Sequence, residues 1–142
     1  MEWELPTNGW APQPHIHPRL TEEYELLDGS LDVSIGGEWR TLTAGEAASV
    51  PPGTIHTFRV GGGPVRVRTV HRPALDFEPY INRLCSAANQ RNLGDLSSVR
   101  ALLHVAVLVR EFPQHSRASG RLLNGAVPAL AALGRFLGFR AP

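Results

Sequence analysis

Apolar and polar residues alternate with a period of two along the first half of the chain and with a helical period along the second. Leu31, Val33 and Ile35 alternate with Asp32 and Ser34, which predicts a half-buried strand. Gly36-Gly37 predicts a hairpin turn, with Trp39 to Leu42 returning. Glu22, Tyr24 and Leu26 fall on one face of a strand from Glu22 to Leu27, and further short strands are expected at Ala47–Val50 and Ile55–Val60. After Gly61-Gly62-Gly63-Pro64, Val65–Val70 completes the set, and Glu2–Leu5 reads as a short strand before a turn-rich approach over 6–14. Many short strands punctuated by Gly/Pro turns argue for an all-β barrel or sandwich.

The period changes at Pro73. Phe77, Ile81, Leu84 and Ala88 share one helical stripe over 76–89, with Asp76 as the N-cap. A second apolar helix over 97–111 starts at Ser97 or Ser98 and stops before Pro113. A third is predicted from Gly125 to Leu137, with Gly138 as its stop. The expected organisation is therefore a β unit over 1–73 and a helical extension over 74–142, packed on the barrel or used at a dimer contact.

Composition narrows the function. The 142 residues suit a single substantial core rather than several domains. Net charge is +1 with both signs scattered, which leaves no electrostatic footprint for nucleic acid. All 14 basic residues are arginine, so lysine Schiff-base chemistry is excluded. The single cysteine, Cys85, cannot form an internal disulfide, and the N-terminal sequence MEWELPTNGW lacks the apolar run of a signal peptide. Together with the absence of an apolar run of about 20 residues, this predicts a cytoplasmic protein with membrane association unlikely.

Against that background four residues stand out. His15 and His17, two apart on an extended segment, project to one side. Glu22 enters from the next strand, and His56 follows a Pro-Pro-Gly turn far along the chain. Three imidazoles and a carboxylate suit one divalent first-row transition ion and leave positions open if the ion is six-coordinate. Glu23 competes with Glu22 as the acid, but Glu22 has the parity of Tyr24 and Leu26.

The same residues resemble the cupin superfamily. Gly9, His15, His17, Glu22 and Gly29 match its first motif, G-x5-H-x-H-x3,4-E-x6-G. Gly45, Pro51, Gly53 and His56 match the second, G-x5-P-x-G-x2-H-x3-N, with Val60 replacing the final asparagine, which is not usually a ligand. The tail segments PALDFEPY, HVAVLVREF and LGRFLGFR are similar to those of small single-domain bacterial cupins that carry C-terminal helices. The resemblance implies a jelly-roll β-barrel (double-stranded β-helix) and a metal (Fe, Mn, Ni, Co, Cu or Zn) held by His15, His17, Glu22 and His56. It also implies chemistry on a small organic molecule, either dioxygenase-like as in quercetinase-like cupins or of the polyketide cyclase/isomerase kind. A non-catalytic small-molecule sensor is the competing class. Cupins usually have one or two strands more before this point, so the chain is expected to begin late in the barrel.

Tyr24, two residues from Glu22, and His71, with the parity of Val65, Val67 and Thr69, are the candidate catalytic groups; barrel core and a strand-end cap are their respective alternatives. Arg59, Arg66 and Arg68 have outward parity and are expected to face solvent or make helix-facing salt bridges; they could recognise an anionic substrate only if that face were enclosed. His104 and His115 read as structural, and Cys85 as a buried or half-buried side chain. The last helix is apolar nearly all round, and an incomplete barrel edge is a template for pairing. A homodimer is expected.

Overall fold

The computed structural model describes residues 1–7, 9, 11–90 and 98–139, with the backbone alone for 87–90. The chain forms two compact units, Met1–Ala74 and Leu75–Pro142.

The first unit consists of β1 (Glu2–Leu5), β2 (His15–Ile16), β3 (Thr21–Asp28), β4 (Ser30–Ile35), β5 (Glu38–Thr43), β6 (Ala47–Val50), β7 (Ile55–Val60) and β8 (Val65–Arg72). One sheet runs β1-β8-β3-β6, and within this unit the other runs β5-β4-β7-β2. All the pairings are antiparallel. This is the jelly-roll architecture expected from the sequence, in the form of a two-sheet sandwich: hydrogen bonding joins neighbours within each sheet, and side chains fill the space between the sheets.

Alternation determines the filling. On β8, Val65, Val67 and Thr69 are buried while Arg66 and Arg68 are exposed; on β3, Glu22, Tyr24 and Leu26 are buried. Leu31, Val33, Leu42, Val50 and Val60 complete the interior. Each such aliphatic side chain contributes roughly 1.5–3 kcal/mol by leaving water. Outward arginines form ion pairs instead: Arg68 with Glu2 and Glu25, and Arg59 with Asp32, each at 2.9 Å.

Gly29 turns β3 into β4 at φ +86°, where a Cβ would lie 2.3 Å from the Pro64 carbonyl oxygen. No other residue fits that corner without moving backbone. Val60, where the motif has asparagine, faces Leu31 across β4 and β7 and belongs to the core.

The second unit contains α1 (Phe77–Gln90), α2 (Val99–Glu111) and α3 (Arg121–Phe136). Ser98 caps α2 through its hydroxyl, which accepts from the Ala101 N–H at 3.2 Å; Ser97 lies outside the described residues. Phe77, Ile81 and Leu84 pack with Tyr80, Leu108 and Phe112 as the helical stripe predicted, while Ala88 falls where only the backbone is described. Asp76 has the position of an N-cap, its carbonyl accepting from the Tyr80 N–H, but its carboxylate goes to His115.

Two expectations need correcting. Helix α3 starts at Arg121, four residues before Gly125, because Gly120 accepts from the Asn124 N–H and Asn124 reaches the Ala118 carbonyl, nucleating the first turn ahead of the glycine. Cys85 is exposed: the buried stripe of α1 passes through Ile81 and Leu84 and leaves it outside. The predicted stop at Gly138 holds, with φ +80° and paired bonds from Gly138 to Arg135 and from Phe139 to Gly134. A Cβ on Gly134 would lie 2.9 Å from Val107, so its absence lets α2 and α3 approach closely.

Candidate metal centre

Two cross-strand pairs build the site, one on each sheet. Glu22 on β3 lies opposite His71 on β8, and His15 on β2 lies opposite His56 on β7. Directly opposed residues share a face, so each pair enters the interior together. His17 follows one residue after β2, and its carbonyl accepts from the Gly53 N–H at 2.8 Å. The Pro51-Pro52-Gly53 turn therefore positions His17 as well as leading into His56. The Thr57 hydroxyl, donating to the Pro12 carbonyl at 2.6 Å, fastens the approach to β2.

The four groups predicted from spacing converge: a nitrogen or oxygen of each of His15, His17, Glu22 and His56 lies within 4.8 Å of the others. Glu22 Oε2 is 3.0 Å from His56 Nε2 and 3.3 Å from His17 Nε2. Donors bound at about 2.1 Å from one ion at right angles stand about 3.0 Å apart, so these separations suit a common ion. Glu23 points outward to Arg72, so Glu22, not Glu23, is the acid that joins the three histidines.

Hydrogen bonding prepares the imidazoles. His15 Nδ1 and His56 Nδ1 each donate to a backbone carbonyl, of Gln13 and Thr54 respectively, at 3.0 Å. A carbonyl only accepts, so Nδ1 carries a proton in each ring, which leaves Nε2 as the nitrogen available to a ligand. The buried Nε2 of His56 has no hydrogen-bond partner. A nitrogen lone pair beside a carboxylate oxygen is an arrangement that a cation satisfies.

Electrostatics agree. Burial, with the neighbouring His56 and His17, lowers the His15 pKa from 6.5 to about 4, against the opposing pull of Glu22 and the Gln13 carbonyl. Burial pushes the Glu22 carboxyl up, but His17, His56 and His71 outweigh it and hold the group well below the usual carboxylate range. An ionised carboxylate beside a His15 that stays neutral is the ligand form a divalent ion requires.

Both candidate catalytic residues are at the site, and both touch Glu22. The buried Tyr24 hydroxyl donates to Oε2 at 2.7 Å, while His71 Nε2 is 3.1 Å from Oε1. Burial and the adjacent Glu22 raise the Tyr24 pKa well above 10, so the phenol keeps its proton. The sequence reading missed an aromatic group beside them: Trp3 stacks on Phe58 at 5.1 Å, Tyr24 meets Phe58 edge-on at 6.2 Å, and Trp3 Nε1 donates to Thr69 Oγ1 at 3.3 Å. Its signal was the shared parity of Trp3 with Leu5 and of Phe58 with His56.

A two-sheet jelly roll with three converging histidines and one glutamate, a group that could hold a metal ion, defines a protein of the cupin type. The cupin domain family matches residues 1–71, and the chain belongs to that family. It is similar to the Bacillus subtilis (strain 168) quercetin 2,3-dioxygenase, 37% identical over 46 residues that make up 32% of this chain and 14% of that enzyme. It is also similar to the HTH-type transcriptional regulator SutR of Escherichia coli (strain K12), 35% identical over 60 residues, 42% of this chain and 32% of the regulator. The chain thus spans only a minor part of each curated relative. Among solved structures it is similar to the TT1209 protein of Thermus thermophilus, with 30% identity and a TM-score of 0.46 over 49% of this chain and 67% of that one. Among the described residues no helix is long and apolar enough to cross a membrane.

Proposed function

We propose that the protein holds one divalent transition ion through His15, His17, Glu22 and His56 and transforms a small organic molecule there. The observation that carries this reading is the convergence of one ligand atom from each of the four side chains within 4.8 Å, with His56 Nδ1 already committed to Thr54 and its Nε2 turned toward Glu22. When bound, the ion would supply Lewis acidity toward substrate oxygens and, if redox-active, electron exchange with dioxygen. The protein's part is to keep three imidazoles and one carboxylate aimed at a single point between the sheets. His71, beside both Glu22 and His17, is the group we assign to exchange a proton with substrate. Similarity to a quercetin dioxygenase favours dioxygenase-like chemistry over cyclisation or isomerisation.

The test is an oxygen-electrode assay with a flavonol, on protein loaded in turn with Fe, Mn, Co, Ni, Cu and Zn. Metal-dependent oxygen uptake, lost in His56→Ala, is expected. Flavonol binding by the metal-loaded protein without turnover would favour the second reading, a sensor, which the similarity to a transcriptional regulator supports.

We also propose a homodimer. Leu122 and Phe136 on α3 are 93% and 87% exposed, and such side chains gain by burial against a second copy. Light scattering at high micromolar concentration is expected to give twice the 15.5 kDa chain mass; a monodisperse monomer would contradict it.

A further inference from the structure

The carboxylate of Glu22 is gripped at both oxygens. Tyr24 donates to Oε2, the oxygen that faces His17 and His56, and His71 Nε2 meets Oε1 on the far side. The strand pairing enforces both contacts. Tyr24 is two residues from Glu22 on the same face of β3, and His71 is its cross-strand partner on β8. Tyr24 is itself anchored in the core, 2% exposed and edge-on to Phe58, so its hydroxyl has a fixed position.

A carboxylate free to rotate about its terminal torsion can offer a divalent ion one oxygen or two, and two would take a position that substrate needs. We infer that Tyr24 and His71 are positioning residues that fix Glu22 as a single-oxygen ligand, presenting Oε2 and holding Oε1 away. The inference rests on the metal reading above and deepens it: openness of the centre is determined by two side chains that are not ligands. His71 keeps its assigned role toward substrate, and the positioning is a second consequence of the same hydrogen bond.

Cobalt(II) serves as the probe, because its visible absorption weakens as coordination number rises. Affinity comes from competition with a chelator and needs no substrate. Tyr24→Phe keeps the ring and removes only the donor. It is expected to lower cobalt affinity about tenfold, the size of effect usual for a group that orients a ligand, and to weaken the visible bands as Glu22 rotates to bind through both oxygens. His71→Ala should change the bands in the same direction, and His71→Gln, whose amide N–H can reach Oε1, should restore the intensity of the unmodified protein. If Tyr24→Phe fails to fold, as judged by circular dichroism, the His71 pair at the end of β8 carries the test. Wild-type affinity and band intensity in both Tyr24→Phe and His71→Ala would overturn the inference while leaving the metal reading intact. Unmodified, folded protein that takes up no cobalt would overturn the metal reading, and this one with it.

Discussion

Each unit buries histidine against a carboxylate, yet the two clusters are chemically opposite. In the β unit three imidazoles surround Glu22, the carbonyls of Gln13 and Thr54 hold the Nδ1 protons of His15 and His56, and the Nε2 of His56 is left facing inward without a hydrogen-bond partner. In the helical unit His115, fully buried, meets Asp76 through Nε2, and the rings of Phe77, Tyr80 and Phe112 enclose it. Asp76 remains 47% exposed there, so its charge is shared with solvent. A histidine beside an acid is therefore not itself a metal signature. What distinguishes the first cluster is convergence of several lone pairs whose opposite ring nitrogens are already fixed.

Breaking the convergence should have the largest effect. His56→Ala is expected to reduce metal affinity by more than about 100-fold, beyond what loss of an orienting partner causes, as read by chelator competition. His115→Ala should leave that affinity unchanged. Equal losses from the two substitutions would erase the distinction between the clusters.

Acid sharpens the contrast in metal-free protein. His15 has a folded pKa of about 4 against 6.5, so between those values the unfolded chain binds the proton first. The stabilisation it contributes is complete above 6.5 and disappears as pH falls toward 4; at 1.36 kcal/mol per unit this is about 3 kcal/mol. Glu22, also depressed, adds to the loss below its ordinary 4.5. Denaturant titrations from pH 7.5 to 4 should show falling stability that His15→Gln largely flattens. A pH-independent midpoint would contradict the assignment of a neutral, half-buried His15.

In the helical unit, His115→Ala removes a packed ring without stranding a buried charge, and should destabilise that unit by about 2 kcal/mol in thermal unfolding. The smallest expected effect is that of Glu23→Gln. Its side chain pairs outward with Arg72, and exposed pairs contribute about 0–1 kcal/mol. Metal affinity should stay within about twofold, whereas Glu22→Gln should lose most of it; the reverse order would mean that the register of β3 is misassigned.

These contrasts also show what a sequence can disclose. Alternation with period two separated Glu22 from Glu23 and placed His71 inward, because every second residue of a strand must face the same side. The Pro-Pro-Gly turn brought His56 toward His17 for a similarly local reason. What was not legible depends on atoms rather than parity. Nothing in the spacing says that the Tyr24 hydroxyl reaches Oε2, that Trp3 stacks on Phe58, or that the Asp76 carboxylate leaves its cap position for His115. Gly125 suggested a helix start since glycine weakens helices, but the turn held by Gly120, Ala118 and Asn124 overrides that local preference. Such outcomes follow from tertiary neighbours, which a one-dimensional pattern does not contain.

The central claim is that the four side chains between the sheets form one metal centre. Elemental analysis of purified protein, after incubation with Mn, Fe, Co, Ni, Cu or Zn and exhaustive dialysis, tests it most directly. The account predicts one equivalent of ion per chain for at least one of these metals, retained by His115→Ala and lost by His56→Ala. Folded protein that retains none of the six, or that retains an equivalent after His56→Ala, would contradict it.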